Sequence, residues 1–175
     1  AIGTQQSTSA LFLYWILFTI TNFGAFGMLW LNRGKEYNDY ESPYAFRKFS
    51  GLAQISPFTA SIIGLFLFSL TGLPPFALFW GKMYLVASAV NAGQIALAVI
   101  IVVNSAIAAY YYLRPVSYMF LRDPEVGIKN TTFMQNATLP VKSVVGFAVF
   151  LTLISILLIE PLLNIISAYV ASSGF

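Results

Sequence analysis

The chain has 175 residues, 58% of them hydrophobic and only 9% charged, with a formal net charge of +3. A soluble domain carries about 25% charged residues, so this composition excludes a soluble enzyme and describes one polytopic helical membrane unit. Cysteine and histidine are both absent, which removes disulfides, thiolate-held iron–sulfur clusters, bis-histidine haem and most zinc or copper sites, and the small positive charge is spread over loops, so nucleic acid is not a partner.

Ala1 to Ser9 shows no initiator methionine, basic segment or cleavage site, so it is not a signal peptide, and the chain reads as the C-terminal part of a longer protein. Five apolar spans follow. The first covers about 10–31 and holds Asn22 with the small residues Gly24, Ala25 and Gly27, which permit close helix approach. Residues 32–50 form a polar loop with seven of the fifteen charges. The second span, about 52–72, has Pro57 to Thr71 as its core, and Gly72-Leu-Pro-Pro75 stops it. The third and fourth cover about 75–91 and 95–113, and a second polar loop occupies 114–142. The fifth covers 143–159, where Glu160-Pro161 ends the helix and residues 162–170 either continue or lie along the interface. The fold class is therefore an all-α membrane protein, a single transmembrane unit over 1–175. Loop charge does not orient it: Arg33, Lys35, Arg47 and Lys48 fall on one side of five spans, and Arg114, Arg122, Lys129 and Lys142 on the other.

Lys82 is the only charged residue between Lys48 and Arg114. If Pro75 opens a helix, the lysine lies roughly 10 Å in, near the middle of a span of about 20 residues. A lysine at that depth is costly unless it faces protein or a wet cavity, so it reads as functional; the bland alternative is a long stem that snorkels to the interface. Unlike arginine, a buried lysine changes charge readily, which suits a proton-transfer path. The joint at Gly72-Leu-Pro-Pro75 has two readings. It is a break inside the membrane beside an ion path, or a tight interfacial turn between two antiparallel spans; the turn is favoured because each flanking span is long enough alone.

Other residues carry weaker signals. Asn104 and Ser105 sit mid-helix and line a hydrated path or make interhelical hydrogen bonds. Tyr110, Tyr111 and Tyr112 beside Arg114 read as an interfacial belt at the end of a span. Trp80 reads as packing, Glu160 as interfacial, and the Ser69 and Thr71 hydroxyls as caps for freed carbonyls.

The stretch Phe68-Ser-Leu-Thr-Gly-Leu-Pro-Pro75-Phe-Ala-Leu-Phe-Trp-Gly-Lys82-Met-Tyr84 resembles the signature of the antiporter-like subunits of respiratory complex I, a Ser-Leu-x-Gly-Ile-Pro-Pro segment followed by Gly-Phe-x-Gly-Lys-Phe-Tyr. It departs at Leu73, at Ala77-Leu78 and at Met83, none of which touches the lysine. Tyr110-Tyr-Tyr-Leu-Arg114, and the first span with Tyr14 and Thr21-Asn-Phe-Gly-Ala-Phe26, are similar to the subunit N branch of that family. The resemblance implies the C-terminal portion of a fourteen-helix fold, its tenth to fourteenth helices. Lys82 would then be the outer member of a chain of protonatable groups, on a helix that is discontinuous in the family, with its glutamate and lysine partners upstream. It implies a proton-translocating subunit of a NADH-quinone oxidoreductase type complex in a bacterial inner (plasma) membrane, with residues 114–142 facing the cytoplasm. No cofactor would be bound by this chain, since quinone and NADH act elsewhere in the complex. Its partners would be the other membrane subunits and the lipid bilayer, with quinone involved only indirectly. Two other classes stay open: a subunit of a multi-component cation/proton antiporter, and a membrane scaffold without a translocation role.

Overall fold

A computed structural model describes residues 4–31, 49–124 and 138–173; the polar stretches 32–48 and 125–137, with Arg33, Lys35, Arg47, Lys48 and Lys129, lie outside the described residues. The described residues form seven helices and no strand: α1 (Gln5–Leu31), α2 (Leu52–Ile55), α3 (Pro57–Thr71), α4 (Ala77–Asn91), α5 (Ile95–Leu121), α6 (Leu139–Ile154) and α7 (Ile159–Ser172). Of these, α1 and α5 are each long and apolar enough to cross a membrane alone.

Helix α1 starts five residues ahead of the apolar run because hydroxyls close its first turn. The Thr4 amide donates to Ser7 Oγ at 3.2 Å, and the Ser7 amide donates to Thr4 Oγ1 at 3.3 Å. This reciprocal cap satisfies donors that a helix N-terminus leaves free. Thr4→Ala should cost the first turn about 1 kcal/mol, read as faster amide exchange at Thr8 and Ser9 with the centre of α1 unchanged. Further along, Leu13, Leu17, Thr21, Gly24, Met28 and Leu31 are buried at helical spacing, while Phe12, Trp15, Phe23, Phe26 and Trp30 on the remaining surface stay exposed. Helices apolar all round are what a lipid surrounding requires.

Close contacts along α1 settle how α3 and α4 are arranged. The tip of the Phe66 ring of α3 packs directly against Gly24. Gly81 of α4 comes so close to α1 that a β-carbon there would stand 3.4 Å from Tyr14 Cδ2. Asn91, the last residue of α4, donates to Gln6 Oε1 at 3.4 Å. Phe66, Gly81 and Asn91 thus meet positions 24, 14 and 6 of α1 in turn, a run of about 27 Å at 1.5 Å per residue. Helices α3 and α4 therefore lie end to end, antiparallel to α1. The structure differs here from the expected tight turn: Gly72-Leu-Pro-Pro75 is a break within one discontinuous rod, not a reversal between two antiparallel rods. Length explains the difference. Each helix has only 15 residues, about 22 Å, which falls short of a hydrocarbon core of about 30 Å that the pair together exceeds.

Helix α5 returns along the rod. The Phe120 ring lies 3.4 Å from where a Gly64 β-carbon would be, the Gly51 amide donates to the Tyr118 carbonyl at 3.1 Å, and Gln54 Nε2 donates to Asp123 Oδ1 at 3.4 Å. The fourth span was expected to end at Leu113, but the helix runs through Pro115 to Leu121. Proline forfeits one backbone bond; continuing the helix buries Val116 and Met119 against the core. Helix α6 opens at Leu139, not at residue 143, because Pro140 fits the first helical turn, where its missing N–H has no partner to lose. It packs antiparallel to α1, with Val145 against Gly27. Glu160-Pro161 was expected to end this helix. Instead α6 stops at Ile154, and after a 90° bend those two residues open α7. Both suit a start: a carboxylate is favoured at a helix N-terminus, and proline in a first turn loses nothing.

One consequence concerns charge. Leu31, Gly51, Tyr118, Asp123 and Thr138 all lie at one end of the bundle, and among the described residues Arg122 and Lys142 belong to that end. Gln6, Asn91 and Ser167 lie at the other, where Gln5 Nε2 donates to the Ser167 carbonyl at 3.2 Å.

Candidate functional site

The break between α3 and α4 creates the site. Thr71 ends α3 and Gly72 caps it in a left-handed conformation, φ +78°, with its amide donating to the Ser69 carbonyl at 3.0 Å. A helix C-terminus leaves its last carbonyls without amide partners and concentrates about half a negative charge there. Lys82, five residues into α4, reaches back to those carbonyls. Its Nζ donates to the Thr71 carbonyl at 2.9 Å and to the Leu70 carbonyl at 3.3 Å. The side chain is half-buried. Among the described residues these carbonyls, not a carboxylate, are the hydrogen-bond partners of the ammonium. An ammonium has three N–H donors, so one remains for an acceptor.

Gly72 makes this approach possible. A β-carbon on it would stand 2.8 Å from Lys82 Nζ, 3.1 Å from Cδ and 3.2 Å from Cε. The lysine stem therefore lies across the bare α-carbon. Sequence reasoning took Gly72 only as a helix stop. The signal that could have found it is a C-terminal glycine directly before Leu73-Pro74-Pro75, with the lysine ten residues on, but its reading depends on knowing that α4 continues in line with α3.

Of the other candidates, Thr71 alone hydrogen-bonds the lysine, through its carbonyl. Asn104 is exposed on α5 and Ser105 is half-buried, and neither is a hydrogen-bond partner of the ammonium. Thr71 Oγ1 donates to the Leu67 carbonyl at 2.8 Å within its own helix, while its carbonyl serves the lysine. Tyr110 and Tyr111 are exposed and meet edge to face at 5.7 Å, ten or more residues from the end of α5, so they are not at a helix terminus. Trp80 is exposed and meets Phe79 edge to face. Glu160 is exposed in the first turn of α7. Among the described residues no three histidine, cysteine or acidic side chains gather to hold a metal.

What the arrangement offers chemically is a single titratable amine on the negative end of a helix, at an interruption inside a membrane-spanning rod. Comparison with known proteins places this geometry in context. Residues 1–108 match the family described as NADH:quinone oxidoreductase/Mrp antiporter, TM. The chain is 48% identical to NADH-quinone oxidoreductase subunit N of Sulfurimonas denitrificans over 175 residues, which is 99% of this chain and 35% of that protein. It is 44% identical to the subunit N of Sulfurovum sp., covering 100% of this chain and 35% of the relative. With that of Campylobacter hominis the identity is 43%, covering 88% and 32%. The chain thus spans about a third of the length of the curated relatives it matches.

Proposed function

Because the chain belongs to the NADH:quinone oxidoreductase/Mrp antiporter membrane family, we propose that it acts as a proton-translocating membrane subunit of a NADH-quinone oxidoreductase type complex, with Lys82 as the group that carries the proton. It is an integral membrane protein of the bacterial plasma membrane. The observation that carries the reading is the ammonium of Lys82 on the Leu70 and Thr71 carbonyls at the α3–α4 break.

The chemistry follows from that contact. Protonated, the amine neutralises the negative end of α3 and satisfies two carbonyls. Neutral, it keeps two N–H donors for the two carbonyls but gives up the charge-assisted part of both bonds, and charged hydrogen bonds are roughly twice as strong as neutral ones. Loading and unloading therefore differ by an amount that one shifted neighbouring charge or one admitted water can tip. The lysine hands its proton to an acceptor at the third N–H and takes another to return. In this reading the chain binds no redox group; NADH and quinone react elsewhere in the complex, whose other membrane subunits supply the rest of the path. Asn104 and Ser105 on α5 line that path only if a neighbouring subunit or upstream helices cover the exposed face. The family description also names an antiporter; the names of the relatives favour the quinone-linked complex. The test is proton translocation by the assembled complex in sealed vesicles, with and without Lys82. Translocation that follows a sodium gradient instead of quinone reduction overturns the reading.

The end that holds Arg122 and Lys142 faces the cytoplasm in this proposal, since lysine and arginine near span ends mark that side. A thiol introduced into this chain, which has no cysteine among its 175 residues, reports sidedness when its labelling is compared with that of the same protein without it. Gln94→Cys is expected to react with an impermeant maleimide only from outside the cell, and Asp123→Cys only in inverted vesicles. The opposite pattern reverses the orientation.

A further inference from the structure

Two glycines just past the ends of helices α3 and α4 both have a positive φ of similar size, Gly72 at +78° and Gly93 at +70°. What surrounds them differs. A β-carbon on Gly93 would meet nothing within 4 Å, whereas one on Gly72 would meet Lys82 Nζ, Cδ and Cε at 2.8–3.2 Å. We propose that Gly72 is the positioning residue of Lys82: its bare α-carbon seats the lysine stem, and that seat sets the ammonium on the Leu70 and Thr71 carbonyls. The assignment rests on Lys82 being the proton-carrying group.

Three observations converge on it. The nearest atoms to the missing β-carbon belong to one side chain, the lysine, and to no backbone. That side chain is long and rotatable, so an added carbon moves the lysine and leaves the fold in place. Finally, the 2.9 Å and 3.3 Å bonds of Nζ fall on the two carbonyls immediately preceding Gly72, so any displacement at position 72 is felt first by those bonds. The left-handed conformation itself requires no lysine, as Gly93 shows, and so the two glycines separate backbone strain from the seat.

The experiment compares Gly72→Asn with Gly93→Asn in the assembled complex in sealed vesicles. Asparagine tolerates a left-handed backbone better than other side chains but carries a β-carbon. Proton translocation and quinone reduction are both recorded, each variant also in a Lys82→Ala background, because quinone reduction stays measurable when translocation is lost. Gly72→Asn is expected to lower coupled turnover about fivefold or more and Gly93→Asn less than about twofold, with Gly72→Asn adding almost nothing once Lys82 is alanine, the mark of residues that act through one another. A structural defect would multiply equally in both backgrounds. Equal rates for the two asparagine variants, or an undiminished effect of Gly72→Asn without the lysine, overturn this assignment while leaving Lys82 as the proton site. Undiminished translocation by Lys82→Ala alone overturns the proton-site reading and this assignment with it.

Discussion

Lys82→Ala in the assembled complex is expected to stop proton translocation and to slow coupled quinone reduction about tenfold or more, a barrier increase of at least about 1.4 kcal/mol. Alanine removes two things together, the titrating amine and the donor to the Leu70 and Thr71 carbonyls. Lys82→Arg separates them. A guanidinium keeps the positive charge and the donors, so it still serves the end of α3, but it does not release its proton in a protein. The arginine variant is therefore expected to assemble as the wild type does and to translocate no better than alanine. If arginine restores translocation, the lysine is a clamp on a helix end and no proton passes through it. If alanine itself translocates at the wild-type rate, Lys82 is a bystander and a scaffold role takes its place. The measurement is proton uptake by sealed vesicles against quinone reduced, with the amount of assembled complex determined for each variant.

How far the sequence reaches is clearest at this same site. A lone lysine in a long apolar run is visible in one dimension, because the cost of its charge in lipid does not depend on what packs beside it. Its carbonyl partners are not visible, since they become neighbours only when α4 continues in line with α3. The sequence offered two geometries for Gly72-Leu-Pro-Pro75, and the choice between them is made by α1, through contacts at Gln6, Tyr14 and Gly24 that no local rule anticipates. Proline shows the same limit. Pro57, Pro140 and Pro161 all open helices, while Pro115 sits inside one. A proline marks a backbone bond that will be missing, and whether the helix starts, stops or carries on there depends on the burial gained beyond it. The tie of charges has a related origin: it rests on counting α3 and α4 as two crossings, whereas their in-line packing puts Gly51 at the same end as Tyr118 and Asp123.

Gly24→Ala is expected to have the largest effect on assembly, and the contrast with Gly72 explains why. A β-carbon at position 24 would overlap the tip of the Phe66 ring, its Cζ, Cε1 and Cε2 atoms. That ring is fully buried, packed in the cluster with Leu13, Leu17, Ile63 and Leu70, and an aromatic ring has no flexible end that can step aside. Overpacking of this kind costs about 1–3 kcal/mol, and here it prises α1 from α3, the contact that aligns the broken rod. The amount of assembled complex should fall severalfold and its thermal inactivation should come earlier, with the turnover of the surviving fraction near normal. Shortening the partner, as Gly24→Ala with Phe66→Leu, should restore much of the loss, because the added methyl then occupies space the ring vacated. Wild-type yield and inactivation for Gly24→Ala alone would mean that α1 and α3 are not held at this contact, and the alignment of α4 beneath α3 would lose its main support. At Gly72 the neighbour is a flexible amine, so an added carbon changes where a proton is held; at Gly24 it is a buried ring, so the same carbon changes whether the helices meet at all.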